Sequence, residues 1–112
     1  MEKGTHLLLD WYGCDPERIS NEYDLVALLL DTAKIAGCKV LDYMGHQFEP
    51  QGATAIVMLA ESHMSAHYSP EHDYISLDVY TCMPSMMPEK ALKYLRKELK
   101  PKEEKTRKFE RG

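Results

Sequence analysis

The chain has 112 residues, a formal net charge of −4, 44% apolar and 29% charged side chains. That length predicts a single domain, 1–112, with a modest core that self-association would supplement. The acidic balance argues against nucleic acid as a partner, and no apolar run approaches the roughly 20 residues needed to span a membrane. Cys14, Cys38 and Cys82 are odd in number and widely spaced. This argues against a disulfide framework or zinc ribbon and predicts a reducing, cytoplasmic setting. The apolar run after His6 is ended by Asp10, which is not the pattern of a signal peptide. Residues 1–61 carry 4 basic and 10 acidic side chains, a net of −6. Residues 62–112 carry 10 and 8, a net of +2. The pattern reads as an acidic body with a solvated basic helix and tail.

His6 to Tyr12 is rich in β-formers and predicts a strand, broken by Gly13-Cys14-Asp15-Pro16. Asn21 can cap a helix from about Glu22. Leu25, Leu28, Leu29, Thr32, Ile35 and Ala36 recur at helical spacing, and Gly37 suits the C-terminal cap. Lys39 to Phe48 reads as a less regular strand interrupted by Gly45. Pro50-Gln51-Gly52 signals a turn, and Ala53 to Ala60 is a continuous apolar run of central-strand length. Tyr74 to Thr81 alternates, with Ile75, Leu77 and Val79 on one face. Pro88 fits the first turn of a second helix whose Ala91, Leu92, Leu95 and Leu99 face inward. The basic tail from Lys100 to Arg111 holds one last polar strand. The order β-α-β-β-β-α-β predicts an α+β fold, a two-layer α/β sandwich with two helices on one face of a mostly antiparallel sheet.

The chemistry concentrates between residues 61 and 82. Glu61-Ser62-His63-Met64-Ser65-Ala66-His67-Tyr68-Ser69-Pro70-Glu71 is followed by Asp78 and Thr81-Cys82. Hydroxyl, imidazole, carboxylate and thiol are the groups of nucleophilic and acid–base catalysis. Each alone is ordinary in a turn or core; the combination is not. His63 and His67 at i,i+4 share one face of a helix or a strand. A zinc-protease helix, however, places a glutamate between its histidines, where this chain has Met64-Ser65-Ala66, and Pro70 disfavours a long helix. No metal site is expected.

The chain resembles the small prokaryotic S-adenosylmethionine decarboxylase proenzymes nearly end to end. The blocks that carry the likeness are Gly4-Thr5-His6-Leu7, Tyr12-Gly13-Cys14-Asp15, Ala36-Gly37, His46-Gln47-Phe48-Glu49-Pro50-Gln51-Gly52, Glu61-Ser62-His63, Pro70-Glu71, Asp78, Thr81-Cys82 and Glu110-Arg111-Gly112. The resemblance implies autocatalytic cleavage between Glu61 and Ser62 into a 1–61 chain and a 62–112 chain. Ser62 attacks the Glu61 carbonyl, and β-elimination then leaves residue 62 as a pyruvoyl cofactor. His67 and Thr54 assist this processing. The pyruvoyl ketone takes the substrate amine as a Schiff base and acts as the electron sink. The resemblance also implies that Cys82 returns a proton to the substrate carbon, that Phe48 and His67 flank adenine, and that Glu71 meets the ribose hydroxyls. The product is the aminopropyl donor of spermidine and polyamine synthesis. The family also implies a homodimer with each site built from both protomers.

Two positions depart from the family. Tyr68-Ser69 stands where threonine and a large aromatic are usual, and Met83 replaces a glycine after Thr-Cys, with Pro84 next. A pocket narrowed by Tyr68 or Met83 would suit a smaller substrate, ornithine or arginine. A third reading is a non-catalytic regulatory paralogue, against which the intact Glu61-Ser62, His67 and Cys82 count.

Overall fold

A computed structural model of the chain describes residues 3–60, 62–82 and 87–112. Its elements run β1 (Gly4–Tyr12), α1 (Glu22–Ile35), β2 (Val40–Gln47), β3 (Ala53–Leu59), β4 (Ser62–Ser69), a 3-10 turn (Pro70–His72), β5 (Tyr74–Thr81), α2 (Pro88–Leu99) and β6 (Glu103–Arg111). The six strands form one sheet in the order β2-β3-β4-β5-β1-β6. Every neighbouring pair is antiparallel.

Period-2 alternation decides which side of the sheet is covered. Leu7, Leu9 and Trp11 of β1, Met64 and Ala66 of β4, and Ile75, Leu77 and Val79 of β5 are all buried beneath the helices. The apolar stripes predicted for the helices close the other side of this core. Leu25, Leu28, Leu29 and Thr32 of α1 are buried, as are Ala91, Leu92, Leu95 and Leu99 of α2. Burying each large apolar side chain contributes about 1.5–3 kcal/mol. Trp11 is fully buried and still satisfies its indole N–H, which donates to Thr106 Oγ1 of β6 at 3.0 Å. This contact ties the polar edge strand to the core.

The caps lie where the residue types place them. Asn21 is extended, and its side chain accepts from the Asp24 N–H at 3.0 Å. Asn21→Ala should cost about 1 kcal/mol, read as a lower midpoint in thermal or urea unfolding. Gly37 follows the Ala36 cap at φ +77°, the left-handed conformation that favours glycine.

Three expectations change. First, β4 was not expected, and it is the strand that carries Ser62 and His67. Ser62, Ser65, Ala66 and Ser69 carry little β propensity, so pairing with β3 and β5 on both flanks makes the strand. Second, Gly45 does not interrupt β2: it pairs with Ala55, and the irregularity lies between Val40 and Asp42. Its role is close approach, because a Cβ there would stand 2.8 Å from Val26 Cγ2 of α1. Third, Ile35, in the last turn of α1, is 44% exposed. The apolar run of β3 is an interior strand, as expected, between β2 and β4. Its Ala53, Ala55, Val57 and Leu59 face the helices, while Ile56 and Met58 lie exposed on the opposite face.

Candidate active site

The uncovered face of the sheet carries most of the polar chemistry, gathered at the two ends of β4, while Ser62 falls in step with the buried Met64 and Ala66 at the start of the strand. At its first position, Ser62 pairs with Thr81 of β5, so Cys82 is the next residue beyond that partner. Beside them His63, Tyr80 and His6 form one cross-strand row. Their rings lie 5.7 Å (His63–Tyr80) and 5.3 Å (His6–Tyr80) apart. Asp78 sits one row along, and its carboxylate gathers the group. Its Oδ2 lies 2.9 Å from His6 Nε2 and 3.5 Å from His63 Nε2, and its Oδ1 accepts from the Ser65 hydroxyl. The other nitrogen of His63, Nδ1, lies 3.5 Å from Ser62 Oγ.

Arg111 closes this network from β6. Its Nη1 is 3.2 Å from His6 Nδ1, and its guanidinium stands 4.7 Å from the Tyr80 ring centre. A guanidinium only donates, so His6 Nδ1 must accept, and the ring proton sits on Nε2 facing Asp78. That tautomer matters for metal binding. His6, His63 and Asp78 bring three ligand atoms within 4.8 Å of one another. A metal there would have to displace the Nε2 proton while a guanidinium cation occupies the other nitrogen. The donor set therefore serves a hydrogen-bond network better than a divalent ion. His63 and His67 share the open face but stand four residues apart on one strand, about 13 Å, too far to hold one ion.

At the other end of β4, His67 pairs with Thr54 of β3, and Thr54 Oγ1 lies 2.7 Å from His67 Nδ1. Phe48 meets His67 edge-on at 5.8 Å, and His46 meets Phe48 at 4.6 Å. Glu71, in the turn after β4, accepts from Gln51 Nε2 at 3.0 Å and from Ser69 Oγ at 3.2 Å. Gly52 shapes this end: its φ of +101° is the left-handed side of backbone space, and a Cβ would press to 3.2 Å from the Tyr68 carbonyl.

The expected site residues thus form two sets. Ser62 and Cys82 lie at one end; Thr54, His67, Phe48 and Glu71 lie at the other. Five residues of extended strand, about 17 Å, separate Ser62 from His67. One protomer does not bring them together. Glu61 and Met83 lie outside the described residues. Tyr68 alternates away from His67 and packs against the core, and burial foremost raises its hydroxyl pKa. It does not narrow the open face, contrary to the expectation from sequence. Of the cysteines, Cys14 is set apart. Burial, with the Asp73 carboxylate adding, pushes its thiol up to about 11, which makes it a structural group.

Sequence reasoning missed His6, Ser65, Asp78 and Arg111 as a working group. The separation along the chain is 72 residues for His6 and Asp78 and 105 for His6 and Arg111. The available signal was the alternation of Tyr74 to Thr81, which puts Asp78 and Tyr80 on the face opposite the core.

A two-layer sandwich with hydroxyl, thiol, imidazole and carboxylate groups on its uncovered sheet is an enzyme scaffold of the acid–base type. A family model described as S-adenosylmethionine decarboxylase matches residues 5–112. A Sulfurihydrogenibium sp. (strain YO3AOP1) protein named S-adenosylmethionine decarboxylase proenzyme is 46% identical over 114 residues, covering 100% of this chain and 86% of its own. One of the same name from Parasynechococcus marenigrum (strain WH8102) is 44% identical, covering 96% and 84%. The crystal structure of the adenosylmethionine decarboxylase from Aquifex aeolicus VF5 superposes with a TM-score of 0.90 at 39% identity, covering 99% of this chain and 92% of that one. The chain belongs to the S-adenosylmethionine decarboxylase family.

Proposed function

We propose that this chain cuts itself between Glu61 and Ser62, and that residue 62, converted to a pyruvoyl group, serves in decarboxylating S-adenosylmethionine to the aminopropyl donor of polyamine synthesis. The observation that carries the reading is Ser62 at the first position of β4, cross-strand from Thr81 and one residue from Cys82. The fit is chemical as well as positional. A group made from residue 62 stays anchored by the β4–β5 ladder, with a thiol beside it. When present, a pyruvoyl carbonyl takes up the electron pair left by the departing carboxylate.

The chain's own residues supply the rest. Cys82 delivers the proton that replaces carbon dioxide. Phe48 and His67 offer aromatic faces for adenine and for a cationic sulfonium, and Glu71 offers acceptors to ribose hydroxyls. Thr54 holds the His67 ring through Nδ1. The relatives quoted above act, by name, on S-adenosylmethionine. With Tyr68 turned into the core, no observation favours ornithine or arginine, or a regulatory paralogue.

The working unit is a homodimer with shared sites. The 17 Å gap between the two ends of β4 supports this, because a two-fold axis over the open face lets one protomer's Ser62 end meet the other's His67 end. Exposed Met44, Ile56 and Met58, lining a hollow of about 350 Å³ on that face, supply apolar area for the contact. No helix among the described residues is long and apolar enough to cross a membrane, and we place the enzyme in the cytoplasm.

The test is the intact mass of the purified protein under denaturing conditions. Two fragments, residues 1–61 and a 51-residue remainder with the mass of an N-terminal pyruvoyl, are expected. A single full-length mass would overturn the reading.

A further inference from the structure

We infer that His63 is the base that takes the Ser62 hydroxyl proton in the first step of self-cutting, with Asp78 as its positioning residue. The inference rests on the self-cutting reading and deepens it. Three observations converge. His63 Nδ1 lies 3.5 Å from Ser62 Oγ, and the opposite nitrogen of the same ring lies 3.5 Å from Asp78 Oδ2. Hydroxyl, imidazole and carboxylate thus stand in line, the arrangement in which a carboxylate holds an imidazole in the tautomer that accepts a hydroxyl proton. The second observation is that Asp78 is itself held. Ser65 donates to Oδ1 and His6 to Oδ2, and Arg111 fixes the His6 tautomer so that it donates. The third is placement within the chain: among the described residues of one protomer, His63 is the imidazole at Ser62 Oγ, while His67 lies at the other end of β4, bonded to Thr54, and reaches a Ser62 only across the proposed dimer, where it serves the later elimination. A 3.5 Å contact is long, but catalytic hydrogen bonds commonly tighten as the reacting geometry forms.

The step balances without a co-reactant. As Oγ bonds to the Glu61 carbonyl carbon, its proton passes to His63 Nδ1 and the carbonyl oxygen takes the negative charge. When that charge returns to the carbon, the carbon–nitrogen bond breaks and Nδ1–H gives its proton to the leaving nitrogen. The product is an ester between the Glu61 carbonyl and Ser62 Oγ, with a free amine on residue 62. His63 ends neutral, as it began. Arg111, His6 and Tyr80 serve only to keep Asp78 and the rings in register. His67 then belongs to the later elimination.

The experiment follows cell-free synthesis of the full chain, with masses read over time, for the unaltered protein and for Ser62→Ala, His63→Ala, His63→Gln and Asp78→Asn. His63→Ala should cut about 100-fold more slowly, the low end of what a positioned base contributes. Added imidazole should restore part of the rate, which a purely structural loss would not allow. His63→Gln keeps a donor toward Asp78 but cannot take a proton, and it should be as slow as the alanine variant. Asp78→Asn should slow cutting by about 10-fold, since it disturbs orientation rather than removing the base. Neutral hydroxylamine separates the steps, because it cleaves esters and leaves amides. A His63→Ala chain should resist it, whereas His67→Ala, stalled after the ester has formed, should release a 1–61 hydroxamate. Hydroxylamine cleavage of the His63→Ala chain, or cutting of His63→Gln at the unaltered rate, would overturn the role of His63 while leaving self-cutting intact. An unaltered chain that never cuts, or a Ser62→Ala chain that does, would overturn self-cutting itself.

Discussion

Chains carrying Ser62→Ala or His67→Ala are expected to stay full length when made separately, and to yield cut product when made together. The first loss follows from chemistry: alanine has no oxygen to attack the Glu61 carbonyl. The second follows from removing the imidazole that serves elimination in the proposed scheme. The rescue follows from geometry. Ser62 and Thr54–His67 lie about 17 Å apart on β4, and a side chain cannot cover that distance. In a mixed dimer, the His67→Ala chain presents an intact Ser62 to the intact His67 of its partner. Random pairing makes about half the dimers hybrid, each with one complete site, so roughly a quarter of all sites should cut. The released 1–61 fragment should come only from the His67→Ala chain, which a mass tag on either chain reveals. Failure of the mixture to cut, with both chains folded and dimeric, would place the whole site within one protomer.

Cys82→Ala is expected to cut normally and then to turn over S-adenosylmethionine about 100-fold more slowly. Cys82 follows the cross-strand partner of Ser62, so it stands next to the residue where the reactive group would form. In the proposed scheme it plays no part in the proton transfers that would break the Glu61–Ser62 bond. Loss of a proton donor should therefore leave the two-fragment mass pattern unchanged and appear in kcat. Without a thiol at that position, return of a proton to the substrate carbon would slow, and protonation of the residue-62 group's own α-carbon, followed by hydrolysis that releases the substrate as an aldehyde, would compete; that side reaction would be read as a mass change to an alanine N-terminus. Unchanged product formation by the cut variant would reject Cys82 as the donor. The two other cysteines offer no substitute: Cys14 is half-buried with a raised pKa, and Cys38 lies in the connection between α1 and β2.

Sequence and structure agree most closely where a pattern is local. The two helices are legible because leucines recur at helical spacing between recognisable ends, Asn21 and Gly37 for α1 and Pro88 for α2. The alternation of β5 and the polar tail strand are legible for the same reason. β4 is not, because its serines and alanine suggest a turn, and only neighbours on both sides give it a ladder. Missing that strand hides the main property of the site. Once residues 62–69 are extended, Ser62 and His67 fall at opposite ends of one strand and out of step by one residue, so that Ser62 alternates with Met64, Ala66 and Tyr68 on the core side. The identities of Ser62, His67, Cys82, Thr54, Phe48 and Glu71 came from resemblance, and their grouping came from register. The network of Asp78 with His6 and Arg111 depends on β1 lying between β5 and β6, a strand order that no local pattern reports.

That strand order also determines what holds together after a break at residue 61. The first fragment would own β1, β2 and β3, and the second β4, β5 and β6. Read across the sheet, ownership runs first, first, second, second, first, second. Three of the five ladders therefore join one fragment to the other, and β1 is clasped between two strands of its former continuation. Severing the chain frees a new terminus without freeing either piece. The product should migrate as one particle in a sizing column and separate only in denaturant. Once separated, the pieces must find each other again, so recovery should depend on concentration, as it does for any assembly of two partners.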